Sequence, residues 1–216
     1  MSQSRCRLLG AVLAGGASRR YGRDKAHELV GGVSMLTRGV TVLRAVFDDV
    51  VVVADALPDS PVGVRVVPDL RANSGPLAGL EAALREARQV GCDGVFLLGC
   101  DLPLVTRSVV QSISDAWDGV DALVVPARGR TLAADPSSTE PDGFEPLCAV
   151  YGLGLLPLVE EHLERGELSL HALIDAAGTV VVAGIPDSEG GREPFLNVNT
   201  PEDRLEAERV LDRGRP

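Results

Sequence analysis

Leu8-Leu9-Gly10-Ala11-Val12-Leu13-Ala14-Gly15-Gly16-Ala17-Ser18-Arg19-Arg20-Tyr21-Gly22-Arg23-Asp24-Lys25 is the stretch on which the fold turns. The apolar run Leu8 to Leu13 reads as a buried first strand, so the glycines fall where the strand must turn sharply and present backbone N–H groups. Such a turn suits phosphate. Gly15 and Gly16 let the main chain approach an anion closely, and Arg19, Arg20, Arg23 and Lys25 put four cations within seven residues against one carboxylate, Asp24. Lys25 is the only lysine among 21 basic residues, and its compact, mobile ammonium differs chemically from a guanidinium fork. A P-loop is excluded, because Gly16 is followed by Gly22 with Arg23-Asp24 before the lysine and no hydroxyl after it. The dinucleotide Gly-x-Gly-x-x-Gly spacing is also absent.

Outward from this turn, short Val- and Leu-rich runs recur at Val50 to Ala54, Val64 to Val67, Val95 to Leu98, Ala122 to Val125 and Val180 to Val182. They are continuous rather than alternating, as expected of parallel strands buried on both faces. Helical patterns lie between them, at Met35 to Val46, Ala78 to Val90, Ser108 to Trp117 and Leu155 to Glu164. The alternation predicts a single α/β domain with a Rossmann-like, open, mostly parallel sheet, helices on both faces, and ligands at the carboxyl ends of the strands. The polar, turn-rich tract from Arg128 to Gly143 reads as a flexible surface loop within that domain, either a lid over a ligand or an idle insertion.

Composition narrows the function. A net charge of −10 opposes general binding to nucleic acid or anionic membrane. Aromatic residues, at 3%, are too few to build stacking platforms for single strands. An anionic ligand must therefore meet a local cationic patch, which the first turn supplies. Cys6, Cys92, Cys100 and Cys148 are scattered without a Cys-x-x-Cys pair and read as buried reduced thiols. Met1 to Arg7 is too short and polar for a signal peptide, and no apolar run reaches the length of a membrane span. The expected compartment is the cytoplasm. His27, His162 and His171 form no spaced pair for a metal or triad; the last two read as helix-surface residues.

Four further places can carry chemistry. Asp101, in Cys100-Asp101-Leu102-Pro103, follows a strand and reads either as turn chemistry or as an oxygen ligand for Mg²⁺ against a triphosphate. Asp69 precedes Gly75-Pro76-Leu77-Ala78-Gly79, a tight turn opening a helix whose N–H groups and Gly79 could face a nucleotide. In Asn197-Val198-Asn199-Thr200-Pro201, alternation puts both amides on one face, for metal, phosphate or a second substrate, with turn and capping duty as the alternative. Thr200 is the expected N-cap of a last helix with Pro201 at its first position. Asp55 is either an acceptor for a guanine edge or an ordinary solvated aspartate.

The opening stretch resembles the Leu-Ala-Gly-Gly-x-Ser-x-Arg-x-Gly-x-Asp-Lys signature of nucleotidyltransferases, above all the molybdenum cofactor guanylyltransferases of the MobA type. Asp69 with Gly75 to Gly79, Cys100-Asp101-x-Pro and Asn197-x-Asn199-Thr-Pro match that family in order and spacing. The resemblance runs from Ala11 to about Asp203 and implies one nucleotidyltransferase domain spanning residues 1–216, of the nucleotide-diphospho-sugar transferase type. It implies transfer of GMP from GTP to the terminal phosphate of molybdenum-molybdopterin, with Mg²⁺ as cofactor and pyrophosphate as the leaving group. In that reading Leu13, Ala14, Gly15 and Gly16 wrap base and phosphates. Arg20 and Lys25 neutralise the departing charge, and Asp101 holds the metal. Asp55, Asp69, Gly75 and Gly79 line the guanosine side, and Asn197 and Asn199 face the acceptor. Three departures stand out: Asp55 stands where the family often carries asparagine, Gly99 replaces a proline before Cys100, and Glu145 replaces a glutamine in Glu145-Pro146-Leu147-Cys148-Ala149-Val150-Tyr151, where a carboxylate would repel a phosphate. A related cytidylyl- or sugar-phosphate nucleotidyltransferase and a catalytically silent nucleotide-binding regulator are the alternatives. The chain would act as a monomer or small homo-oligomer, with a protein partner for handover of an unstable product.

Overall fold

The computed structural model describes residues 7–14, 25–54, 63–71, 74–119, 123–131, 143–186 and 194–213. Its first strand, β1 (Leu8–Leu13), is an inner strand of the sheet, paired on both sides. Alternate residues of β1 go to opposite faces, and both faces are covered. Leu9, Ala11 and Leu13 enter one apolar cluster and Val12 the other, which is why the run is apolar without alternation.

A two-residue hairpin follows, β2 (Leu29–Val30) and β3 (Val33–Ser34), closed by Gly31 and Gly32 at φ +58° and +79°. Both turn residues lie in the left-handed region, where glycine meets no Cβ penalty. Then come α1 (Met35–Arg44), β4 (Val50–Val53), β5 (Arg65–Val67), α2 (Gly75–Val90) and β6 (Gly94–Gly99). The chain continues through α3 (Arg107–Asp115), β7 (Leu123–Thr131), β8 (Cys148–Gly152), α4 (Leu156–Arg165), α5 (Leu170–Ala176), β9 (Val180–Ile185) and α6 (Pro201–Arg213). Helix starts follow local chemistry: Ser34 and Thr106 accept from the N–H groups of Thr37 and Val109 as N-caps.

The seven-stranded sheet has the order β5-β4-β1-β6-β8-β7-β9. β5, β4, β1 and β6 are mutually parallel, and β9 is parallel to β7. β8 runs antiparallel to both β6 and β7. The sheet is therefore mostly parallel, as expected, with one reversed strand that the apolar pattern did not reveal. α1 and α3 cover one face; α2, α4 and α5 cover the other. Burying a Leu or Phe such as Leu9, Leu97 or Phe96 contributes about 1.5–3 kcal/mol each, and these three are wholly enclosed. α6 closes a smaller cluster of Val30, Met35, Leu104, Val198 and Ala207.

Two expectations need correction. Arg128 to Thr131 continue β7 rather than opening the polar loop, and the strand's far end, Thr131, pairs with Ile185 of β9; the rest of that loop, 132–142, lies outside the described residues. His162 is 4% exposed, not on the helix surface. It stands with Leu156, Val159 and Leu163 on the face that α4 turns to the core.

Candidate active site

The carboxyl ends of β4, β1 and β6 lie side by side, and the hydrogen bonds just past them join the motifs. The register sets Leu13 opposite both Val53 and Gly99. Ala14 N–H donates to the Val53 carbonyl at 3.0 Å, and Cys100 N–H donates to the Leu13 carbonyl at 3.0 Å. Thus the start of the glycine-rich turn is held against the Cys100-Asp101 loop. Gly15, Gly16 and Arg20 lie outside the described residues, as does Asp55.

Lys25 opens a short 3-10 turn, Lys25–His27. Its neighbour Ala26 is fully buried in the cluster that contains Val12, Leu98 and Leu102. The far side of the loop is therefore anchored under the same strand ends from which it departs.

From the opposite face α2 presses on β1. A Cβ on Gly79 would stand 2.8 Å from Leu13 Cδ2, so a glycine here permits the approach of helix to strand. Gly75, at φ +66°, makes the left-handed step into the helix, and Pro76 sits in its first turn. Asp69 Oδ1 accepts the N–H of Arg71 at 3.3 Å. The Arg71 guanidinium is held by Glu81 of α2, and that hydrogen bond is the chief reason its pKa is raised.

Asp101 is half-buried beyond β6, and its carbonyl accepts the N–H of Val198 at 2.9 Å. This bond carries the Asn197-Val198-Asn199 segment to the Asp101 loop. The two asparagines then part. Asn197 Oδ1 is buried with no hydrogen-bond partner among the described residues. Asn199 is exposed, and its N–H donates to Asp203 Oδ2 at 2.8 Å. Asp203 also takes the N–H of Thr200 at 2.8 Å and returns its own to Thr200 Oγ1 at 3.1 Å, a reciprocal cap on α6. Capping duty thus belongs to this segment together with any ligand duty of Asn197.

Asn197 opens onto a cavity of about 470 Å³ walled by Pro76, Phe144, Glu145, Leu147, Ser169 and His171. Nothing in the sequence marks Ser169 or His171, since α5 brings them here only through tertiary packing. Glu145 is 2% exposed. One of its oxygens accepts the N–H of Leu147 at 3.3 Å, while Tyr151 Oη donates to the Pro146 carbonyl at 2.8 Å. Burial first, and Glu145 second, push the pKa values of Cys148 and Tyr151 upward, so both side chains stay neutral in the core.

Asp101 and Asn197 supply oxygen donors of the kind Mg²⁺ takes. Among the described residues no three His, Cys, Asp or Glu side chains gather as a closed metal cage. An ion here would complete its shell from phosphate and water oxygens, the usual habit of Mg²⁺.

Residues 10–192 match the MobA-like NTP transferase domain. The chain belongs to the MobA-like NTP transferase family. Among relatives, a probable molybdenum cofactor guanylyltransferase of Opitutus terrae is 37% identical, across 94% of this chain and 96% of its own. A molybdenum cofactor guanylyltransferase of Desulfosudis oleivorans is 31% identical, across 96% and 98%. The MobA-like fold is shared with the crystal structure of molybdopterin-guanine dinucleotide biosynthesis protein A from Archaeoglobus fulgidus, at TM-score 0.73 and 22% identity over 95% of this chain and 100% of that one. It is shared too with 2-C-methyl-D-erythritol 4-phosphate cytidylyltransferase from Thermus thermophilus, at TM-score 0.63 and 19% identity over 95% and 98%. A MobA-like chain is a nucleotidyltransferase. No helix among the described residues is long and apolar enough to cross a membrane.

Proposed function

We propose that this nucleotidyltransferase moves GMP from GTP to the terminal phosphate of molybdenum-molybdopterin, forming the guanine dinucleotide form of the cofactor. The reading is carried by one observation. The Cys100-Asp101 loop is hydrogen-bonded on one side to Leu13 and on the other to Val198, in a chain 37% identical to a probable guanylyltransferase.

An oxygen of the acceptor phosphate attacks the α-phosphorus of GTP in line. The bond from that phosphorus to the bridging oxygen breaks, and pyrophosphate leaves. The attacking phosphate is already ionised near neutral pH, so positioning and charge stabilisation suffice without a protein base. Backbone groups of Leu13 to Gly16 wrap base and phosphates; Arg20 and Lys25 neutralise charge on the departing pyrophosphate. Asp55, Asp69, Gly75 and Gly79 serve the guanosine side. Asp101 holds Mg²⁺, which when bound offsets the charge of the triphosphate.

The acceptor enters through the cavity that Asn197 lines. Glu145 in the cavity wall disfavours phosphate there, so the phosphate end of the acceptor points toward the Mg²⁺ that Asp101 would hold and away from Glu145. The protein works in the cytoplasm as a monomer or small homo-oligomer and passes its product to a protein partner.

Pyrophosphate release with GTP, Mg²⁺ and molybdenum-molybdopterin tests the proposal. Release that depends on all three supports it; release with CTP but not GTP would transfer the chain to the cytidylyl type. Binding of GTP without turnover would leave a nucleotide-binding regulator.

A further inference from the structure

The segment between β5 and α2 is tied down by a buried carboxylate that the proposed reaction does not use. Glu81, 1% exposed, stands on the buried face of α2 with Leu77, Leu80 and Leu84. Its Oε2 accepts from Arg71 Nε at 2.9 Å, and its Oε1 from the Arg71 terminal nitrogen at 3.4 Å. The same Oε1 accepts from Arg85 at 3.2 and 3.0 Å, and Arg85 reaches on to Glu160 of α4 at 2.7 Å.

Arg71 is the other end of the connection. Its backbone N–H donates to Asp69 Oδ1, and its carbonyl accepts the N–H of Ser74, the residue before Gly75. An ion on an otherwise apolar helix face carries a desolvation cost that a leucine would not. What the charge adds is geometry: a carboxylate gripping a planar guanidinium at two nitrogens fixes the arginine's direction as well as its distance.

We propose that Glu81 is a positioning residue for the nucleotide. Through Arg71 it holds Asp69 and Ser74 at the carboxyl edge, and through Arg85 and Glu160 it sets them in register with α4. The inference rests on the GTP reading, in which Asp69 and Gly75 lie on the guanosine side. Glu81 touches no substrate, so its loss acts on nucleotide recognition rather than on phosphoryl chemistry.

Steady-state kinetics and calorimetry with GTP and CTP on the full chain test this, comparing the unaltered protein with Glu81→Gln, Arg71→Gln and the double variant. Glu81→Gln is expected to raise KM and Kd for GTP about tenfold and to reduce the preference for GTP over CTP, with kcat within about twofold. Arg71→Gln should do the same, and the double variant should add little, because both remove one connection. An unchanged KM and base preference in folded Glu81→Gln would overturn the proposal, as would additive effects or a loss confined to kcat. Should Glu81→Gln fail to fold, Arg71→Gln, whose guanidinium is about a third exposed, decides by the same readouts. An unaltered protein that binds no GTP overturns the functional reading instead, before any variant is measured.

Discussion

Gly99 leaves the space that the Asp101 carboxylate occupies: a Cβ at 99 would stand 2.6 Å from Asp101 Oδ1 and 3.2 Å from Leu147 Cβ. The glycine that departs from the family's proline is therefore coupled to the expected metal ligand two residues later. Gly99→Ala should push the carboxylate aside, since a side-chain end moves more cheaply than the strand. The expected result is a fall of about 10- to 100-fold in kcat/KM, with more Mg²⁺ needed for half-maximal turnover. Asp101→Asn should raise the Mg²⁺ requirement further. Magnesium titrations of initial rate check both, and identical metal dependence in all three proteins would count against the role given to Asp101.

Lys25→Ala should lower kcat about 100- to 1,000-fold, the usual scale for removing one preorganised charge from a transition state. Melting temperature should hardly change. Lys25→Arg should recover little, because a guanidinium fork is not a point charge. Single-turnover rates beside a thermal melt separate the two effects; near-normal turnover in Lys25→Ala would remove the assignment.

Gly79→Ala tests the contact of helix and strand. The added methyl meets Leu13 Cδ2 at 2.8 Å, and overpacking of this kind costs about 1–3 kcal/mol. Because Leu13 ends β1 beside the phosphate turn, KM for GTP should rise along with the loss of stability. Urea unfolding and GTP calorimetry on the same preparation measure the pair of effects.

Alkaline pH should destabilise the fold through Cys148 and Tyr151. Burial holds the Cys148 thiol well above its ordinary 9.0 and Tyr151 above its ordinary 10.0, with Glu145 adding to both. Below these ordinary values each group is protonated in both states, and its stabilising contribution is fully present. Above them the unfolded chain gives up protons that the folded chain keeps, so stability falls as pH rises. The urea midpoint should drop from about pH 9 upward, and Cys148→Ala should flatten the first part of the fall. A midpoint equally steep in Cys148→Ala would assign the transition to other groups.

Much of this architecture is legible in the sequence. The Leu8 to Leu13 run, the glycines after it and the alternation of apolar runs with helical patterns gave the α/β class, and the motifs fell after strands as that class requires. Thr200 and Pro201 announced the start of α6 by local capping chemistry alone. What escaped were properties set by neighbours distant in the chain. β8 is as apolar as a parallel strand because it too is buried on both faces. Its direction is set by pairing rather than composition: it lies antiparallel between β6 and β7, and the isolated bridge between Ala127 and Phe144 is antiparallel as well. His162 looked like a surface residue until α4 turned that face to the core, and Asn197 and Asn199, on equal footing by spacing, were separated by the bond from Val198 to Asp101.

The sequence by itself determined the alternation of strands and helices, the start of α6 and the family, because periodicity, turn residues and motif spacing are local properties of the chain. Tertiary structure alone decided which way β8 runs, which asparagine faces the cavity, and that Glu81 holds Arg71 across ten residues. Each of these depends on how separate segments pack, and a buried charge and a solvated one are written with the same letter.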